Sequence, residues 1–261
     1  MICILFLMLI SFVIVEKWTA TDNGLSCALD LIRYIRSAHG DYFCIGCAGY
    51  PEGHPTKMTQ VDDLDALSND EKTRCSIEYK EDGTKVILVC KDADYECELE
   101  YLKQKVDAGA AYIITQMFFD AHVFVNFVKA CRAKGITVPI IPGIMCISTY
   151  GGFKRMVSFC KTRVPEELHQ QMEAAKADEH AVKELGFTFG IAMCRSLLEY
   201  GSQGLHFYTL NTSALTSRIL DALGYPKLAH ETDVPAVADV PATVFTVVTE
   251  VAATQPLSPS V

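Results

Sequence analysis

Val106-Asp-Ala-Gly-Ala-Ala-Tyr-Ile-Ile-Thr-Gln-Met-Phe-Phe-Asp120 joins the end of a helix to the start of a strand, and this junction decides the fold. Gly109 is placed to stop the helix, because a glycine just past a helix takes the left-handed conformation without a Cβ penalty. Residues 112–119 are apolar apart from Thr115 and Gln116, the pattern of a strand buried on both faces of a parallel sheet. Gln116 then falls near the strand's C-terminal end. In barrels of alternating strands and helices that end carries chemistry and the other carries stability. Read alone, a single glutamine there more often bonds a neighbouring loop.

The alternation extends in both directions. Upstream, Leu25, Leu29, Ile32 and Ile35 recur at three- and four-residue spacing, which predicts an amphipathic helix over 25–38 that Gly40 stops. A strand over 43–49 runs into Ala48-Gly-Tyr-Pro-Glu-Gly-His-Pro55, where two prolines and two glycines define a loop at a strand's C-terminal end. Tyr50 and His54 are thereby held at the same rim as Gln116. A helix over 95–108 leads into the junction, and one over 121–134 follows it, closed by Gly135. Next come a strand over 138–144, helices over 152–160, 165–174 and 178–200, and a strand over 204–210. Asp178 caps the long helix and Gly201 stops it; Asn211 caps a final helix, 213–223, ended by Gly224.

Four strands alternating with helices predict an α/β fold with parallel strands and right-handed crossovers. A closed (β/α)8 barrel takes about 250 residues. Residues 25–224 offer 200, of which 38 (56–93) break the rhythm. The expectation is half of a TIM-type barrel, about four β/α units.

Three segments stand outside that pattern. Residues 56–93 are rich in Asp, Glu and Lys and carry a hairpin signal, 74–80 and 85–89 around Asp82-Gly83, so they read as a surface insertion. A two-residue turn there would set Cys75 opposite Cys90, as a disulfide or, in a reducing compartment, as two thiols. Residues 1–24 begin with an apolar run of 15 interrupted by Ser11. It is short for a membrane span and lacks the basic start of a signal peptide. A signal anchor, a peripheral helix and non-native sequence at the start of a truncated chain all compete, and the last is the expectation. Residues 225–261, rich in Pro, Ala, Thr and Val, read as a disordered tail.

With half of its 261 residues apolar and 21% charged, the composition is globular, and a net charge of −9 argues against nucleic acid as a partner. The 11 cysteines lack the spacing of a disulfide framework and read as buried thiols of a cytoplasmic protein. Cys44 and Cys47 lie three apart on a strand, so they point to opposite faces and read as packing residues rather than a redox pair. No metal-ligand spacing is present.

Five motifs in one order carry a resemblance: residues 48–55 above, Lys105-Val-Asp-Ala-Gly-Ala110, Ile114-Thr-Gln-Met-Phe-Phe119, Ile141-Pro-Gly-Ile144 and Leu205-His-Phe-Tyr-Thr-Leu-Asn211. Over 25–224, apart from the insertion, the chain closely resembles methylenetetrahydrofolate reductase. The resemblance implies a flavin-containing barrel that reduces 5,10-methylenetetrahydrofolate to 5-methyltetrahydrofolate with FAD and NAD(P)H, in one-carbon and methionine metabolism. The four strands correspond to the family's fifth to eighth. The acid on the family's first strand and the aspartate on its fourth have no counterpart in residues 1–24, so no catalytic residue is assigned and the chain reads as a fragment. The regulatory domain of eukaryotic members has no counterpart in the tail.

The resemblance also places a site. Tyr50 and His54 line FAD; by themselves they would read as a core ring and a loop-stabilising imidazole. Lys105 contacts the FAD phosphate or ribose region, where its plain reading is a solvated lysine at a helix C-terminus. Glu98 and Tyr101 match further FAD positions on the same helix, with residue types that differ from the best-known members. Gln116 matches the glutamine that bonds the pterin of the folate. Thr212 stands where many members have an arginine for the folate tail, and Cys146 where they have a proline. The implied partners are the folate substrate and, with room for it, a second copy of the chain; a membrane anchor is the lesser reading of the N-terminus. The competing function is a non-catalytic half-barrel that binds or docks without the general acid.

Overall fold

The computed structural model describes residues 24–79, 84–210 and 212–225, together with the backbone of one N-terminal strand, Ile2–Leu5. In chain order the elements are β1 (Ile2–Leu5), α1 (Ala28–His39), β2 (Phe43–Gly49), β3 (Met58–Val61), α2 (Asn69–Arg74), β4 (Ser76–Tyr79), β5 (Lys85–Cys90), α3 (Asp92–Asp107), β6 (Tyr112–Met117), α4 (Ala121–Ala133), β7 (Ile140–Met145), α5 (Tyr150–Cys160), α6 (Glu166–Ala175), α7 (Glu179–Glu199), β8 (His206–Tyr208) and α8 (Ala214–Ala222).

One sheet is wholly parallel, in the order β1-β2-β6-β7-β8. Its last four strands are those read from the sequence, and the helices that follow them make the predicted half of a TIM-type barrel. β1 is an addition: Ile2–Leu5 pairs with Phe43–Gly46, inside the segment that the sequence reading left outside the barrel. Residues 6–23 of that segment lie outside the described ones.

The helices start and stop where side-chain chemistry dictates. Asp120 accepts the His122 N–H at 2.9 Å to open α4, Thr149 accepts the Gly152 N–H at 3.1 Å to open α5, and Asp178 accepts two N–H groups to open α7. Gly109, at φ 116°, ends the turn after α3, and a Cβ there would lie 2.4 Å from Arg36 Nε. The Asn211 cap falls on an undescribed residue, and α8 instead starts after Ser213, whose side chain makes no cap bond. The tail beyond Tyr225 is likewise outside the described residues.

The strand that anchors the sequence reading differs from expectation in one respect. On β6, Ile113, Thr115 and Met117 are buried but Tyr112, Ile114 and Gln116 are only half-buried. The helix-facing side is packed; the side that would line a barrel interior has no opposing wall among the described residues. β6 also carries a bulge between Ile114 and Met117 against β7, where the Thr115 hydroxyl accepts the Gly143 N–H at 2.9 Å.

Two hydrophobic clusters hold this sheet. The larger joins Ile45, Ile113, Phe127, Ile144 and Phe207 to α1, α3, α4, α7 and α8; the second gathers Met117, Phe119, Met145 and Ile147 under α5 and α6. Two glycines bring α7 very close to its neighbours: a Cβ at Gly186 would lie 2.0 Å from the Ile147 carbonyl oxygen, and one at Gly190 would lie 2.7 Å from Ile219. Among the described residues no helix is long and apolar enough to cross a membrane.

The second sheet, β3-β5-β4, is antiparallel and lies wholly within 56–93. The predicted hairpin forms, with β3 and α2 added to it. Its register pairs Ser76 with Leu88 and Tyr79 with Lys85, one residue away from the two-residue turn expected at Asp82-Gly83, whose residues are not described. Cys75 therefore does not oppose Cys90. The one-residue shift would place Val89, not Cys90, opposite Cys75, and Cys75 itself is the C-cap of α2, whose capping box joins Ser68 and Glu71, so β4 starts only at Ser76. Both cysteines are buried thiols, and no disulfide joins the described cysteines. Cys47 is buried and Cys44 half-buried, in keeping with their opposite faces.

Candidate functional site

The C-terminal ends of β2 and β6 lie side by side. Ala48 pairs with Ile114 and Gly49 with Thr115, so Tyr50 and Gln116 are the next residues out on adjacent strands. Beyond Tyr50 the chain turns sharply: the Gly53 N–H bonds the Tyr50 carbonyl at 3.0 Å, and Gly53 sits at φ 97° with its Cα against Cys90, where a Cβ would meet the Cys90 Cβ at 2.3 Å. Only glycine fits that position. The turn returns the His54 ring onto Tyr50, centroids 4.6 Å apart and edge to face.

Helix α3 supplies the other side. Tyr50, Glu98 and Lys105 line one small cavity of about 10 Å³, room for about one water, with Tyr95, Leu99 and Phe127 behind them. Lys105 is not the solvated lysine of the plain reading. It is 5% exposed, its ammonium donates to the Ala48 carbonyl at 2.7 Å, and it lies 5.1 Å over the Tyr101 ring. Tyr101 itself accepts the Leu29 N–H at 3.4 Å, linking α3 to α1.

Burial dominates the electrostatics. It pushes the Lys105 ammonium below the usual lysine range, partly offset by Cys47 and Glu98. Burial and then the Lys105 charge push His54 below the usual imidazole value, so it is neutral near pH 7. The Tyr50 hydroxyl is pushed up by burial and then by Glu98, and Tyr101 rises to about 12, chiefly through burial. Burial raises Glu98, with Lys105 pulling it back. The result is a buried cation flanked by neutral aromatic donors.

Five of the six residues singled out from the sequence thus meet: Tyr50, Glu98 and Lys105 at the cavity, Tyr101 under Lys105, and His54 on Tyr50. Gln116 stands apart on β6, its Oε1 accepting the N–H of Met117 at 3.1 Å. Thr212 turns its hydroxyl into its own loop, onto the Thr209 carbonyl at 2.7 Å, and Cys146 is buried 3.1 Å from the Thr216 hydroxyl. Among the described residues no group of His, Cys, Asp and Glu is arranged to hold a metal.

Sequence reasoning missed Tyr208, whose hydroxyl donates to the Thr115 carbonyl at 2.9 Å beside the bulge, and Glu52, which is 7% exposed at the centre of the Tyr50–His54 loop. Tyr208 lay within a quoted motif. Nothing signalled Glu52, because a carboxylate between Pro51 and Gly53 in a strand-end loop ordinarily faces solvent.

The sequence model of methylenetetrahydrofolate reductase matches residues 13–224, a span that takes in the 56–93 segment. The chain belongs to the methylenetetrahydrofolate reductase family. It is 43% identical over 209 residues to methylenetetrahydrofolate reductase (NADH) 1 of Arabidopsis thaliana, covering 80% of this chain and 31% of that protein. It is 39% identical to a probable methylenetetrahydrofolate reductase (NADPH) of Caenorhabditis elegans (77% and 25%) and 37% identical to methylenetetrahydrofolate reductase 2 of Saccharomyces cerevisiae (80% and 29%). This chain spans a third or less of the length of these relatives. A solved Clostridium thermocellum protein that binds two copies of 5-methyl-5,6,7,8-tetrahydrofolic acid overlays 75% of this chain and 57% of its own, at 12% identity and a TM-score of 0.46, a likeness too slight to bear on function.

Proposed function

We propose that this chain supplies one wall of the flavin and folate site of a methylenetetrahydrofolate reductase, an enzyme that reduces 5,10-methylenetetrahydrofolate to 5-methyltetrahydrofolate with NAD(P)H through FAD. The observation that carries this reading is the closing of Tyr50, Glu98 and Lys105 on one cavity, one strand away from Gln116.

The donor set fits the polar part of FAD. Lys105 is a buried ammonium with three N–H donors, of which the Ala48 carbonyl takes one; a phosphate or ribose oxygen suits the remainder. Neutral His54 and the Tyr50 hydroxyl can bond oxygen without adding charge. The cavity itself holds about one water, so the flavin ring belongs outside it, against the half-buried inner face of β2 and β6. Bound there, FAD would relay hydride between nicotinamide and folate. Gln116 would meet the pterin through its Nε2 donors and the remaining lone pair of Oε1, which already accepts the Met117 N–H. The Thr212 hydroxyl is engaged with Thr209 and cannot offer the cationic fork that a folate tail favours.

A non-catalytic binding module remains the second reading, and one observation favours it. The four strands β2, β6, β7 and β8 carry no aspartate or glutamate, so a positioned acid, worth about 10²- to 10⁴-fold in rate, has to come from elsewhere.

Both readings meet in one experiment: the chain alone, and the chain joined behind the part of the Arabidopsis relative that precedes its matching stretch. The chain alone is expected to bind no stoichiometric FAD and to reduce no folate; the joined protein is expected to be yellow and active. In the joined protein Gln116→Ala should slow folate turnover by the equivalent of about 1–3 kcal/mol while leaving flavin reduction by NAD(P)H near normal. A joined protein that folds yet takes up no flavin overturns the proposal.

A further inference from the structure

Glu52 is a buried carboxyl for which the site just described has no use. One oxygen, Oε2, accepts the backbone N–H of Arg163 at 2.8 Å; the other, Oε1, is buried with no hydrogen-bond partner. Arg163 belongs to the turn between α5 and α6, 111 residues away in sequence. Two further contacts join the same two segments. The Lys161 ammonium donates to the Pro55 carbonyl at 3.0 Å, and the Arg163 guanidinium reaches the Cys75 carbonyl at 3.4 Å at the foot of the second sheet. Lys161 holds a left-handed conformation, φ 52°, at the end of α5, which turns the chain toward this loop. Of the side chains that make these contacts, Glu52 is buried, whereas Lys161 and Arg163 are half-buried.

We propose that Glu52 is a positioning residue: its carboxyl, bonded to the main chain of Arg163, is the peg that fixes the Tyr50–His54 loop against the α5–α6 turn and so sets how both rings are presented. The consequence for a ligand rests on the flavin reading; the peg itself does not.

The surroundings determine which form of the carboxyl fits. The charged groups facing it are the Arg163 guanidinium from the α5–α6 turn and Asp120 from the start of α4. Tyr95 on α3, Cys160 at the end of α5 and Cys75 after α2 are the titratable neighbours that feel its charge. Desolvation outweighs Arg163, so the carboxyl rises from 4.5 to about 8 and the closed peg is neutral at pH 7. A loop that swings open hydrates Glu52 and returns it to its ordinary value. The closed state therefore holds a proton that the open state releases, and opening becomes easier by about tenfold per pH unit between 4.5 and about 8, then levels off.

Amide hydrogen exchange on the full chain reads this directly, with or without any cofactor. The reporters are the bonded N–H groups of Gly53, Lys57 and Arg163. After correction for intrinsic exchange, their protection in the native chain should fall by about tenfold per pH unit over that window and flatten above it. Glu52→Gln, neutral at every pH and able to accept the Arg163 N–H, should keep the protection and abolish the slope. Glu52→Ala should lose protection at all pH values. Two charge variants shift the end of the slope in opposite directions: Arg163→Ala, which keeps the backbone N–H, upward, and Asp120→Asn, which still caps α4, downward. A native chain and a Glu52→Gln chain with the same pH profile overturn the proposal, as does Glu52→Ala with native protection at neutral pH. Because no arm of the test uses flavin, its failure is distinct from failure of the reductase reading.

Discussion

The two sheets are made from contrasting kinds of sequence. The parallel sheet is written in apolar runs, and its helix-facing residues enter both large clusters with α1 and α3–α8. The antiparallel sheet sits in a segment rich in charge and has a small cluster of its own, centred on Leu67, Cys75 and Val89. No residue between 58 and 90 enters either large cluster. What ties the second sheet to the first is mostly polar: Arg74 to Asp92 and the Tyr95 ring, Arg163 to the Cys75 carbonyl, and Tyr79, whose hydroxyl bonds Glu166 and whose ring stacks on His169. One sheet is a scaffold with a continuous core, and the other is an appendage held by directed bonds.

The contrast is tested most severely at Phe127, 1% exposed and packed where Gly49 ends β2. Phe127→Ala should cost about 3–5 kcal/mol in urea unfolding. Val89→Ala, though equally buried, should cost less and accelerate hydrogen exchange only in β3, β4 and β5. Equal and global losses would mean that the two sheets share one core.

Lys105 comes next, because there stability and ligand binding pull in opposite directions. Its folded-state value is depressed by burial, so the cost of the buried charge is full at neutral pH and vanishes as pH rises toward 10.5. Lys105→Met should raise Tm near pH 7, with the gap closing toward that limit. In the barrel completed with the Arabidopsis segment, the same change should weaken FAD by the equivalent of about 1.5–3 kcal/mol. A variant less stable at pH 7 would show that the bond to Ala48 outweighs the desolvation.

Ser68 ranks third. Its hydroxyl accepts the Glu71 N–H at 3.1 Å and donates to Asp92 at 2.8 Å. Ser68→Ala should cost about 1 kcal/mol, seen as a lower urea midpoint. The smallest effect on the parallel sheet is expected from the largest excision. Met58 pairs with Cys90, so residues 59–89 can be replaced by an Asn-Gly turn without moving the ends. The helical signal in circular dichroism should be kept for the elements that remain; insoluble protein would show that the appendage completes the scaffold.

These differences track how far each region could be read in advance. The parallel strands and their helices were legible because buried apolar runs, Asp caps and glycine stops are local signals: Asp120, Asp178 and Gly109 do what their types suggest. The register of β4 was not, since the pairing of Tyr79 with Lys85 differs by one residue from that of a two-residue turn at Asp82-Gly83. At the site, Tyr50, His54, Glu98, Tyr101 and Lys105 lie close together, and the burial of Lys105 and Glu52 follows from tertiary packing that no local pattern records. β1 escaped for a related reason: an apolar run with no flanking caps does not say whether it is strand, anchor or helix.

The approach of α7 to the loop after β7 has a mechanical consequence. At Gly186 the helix backbone rests directly on the Ile147 carbonyl, with no side chain between them to change rotamer. Such a joint has no slack. A shift of Ile147 is therefore passed directly to the 21-residue α7, whereas the further contact of Gly190 with α8 runs through the Ile219 side chain, which can yield by changing rotamer.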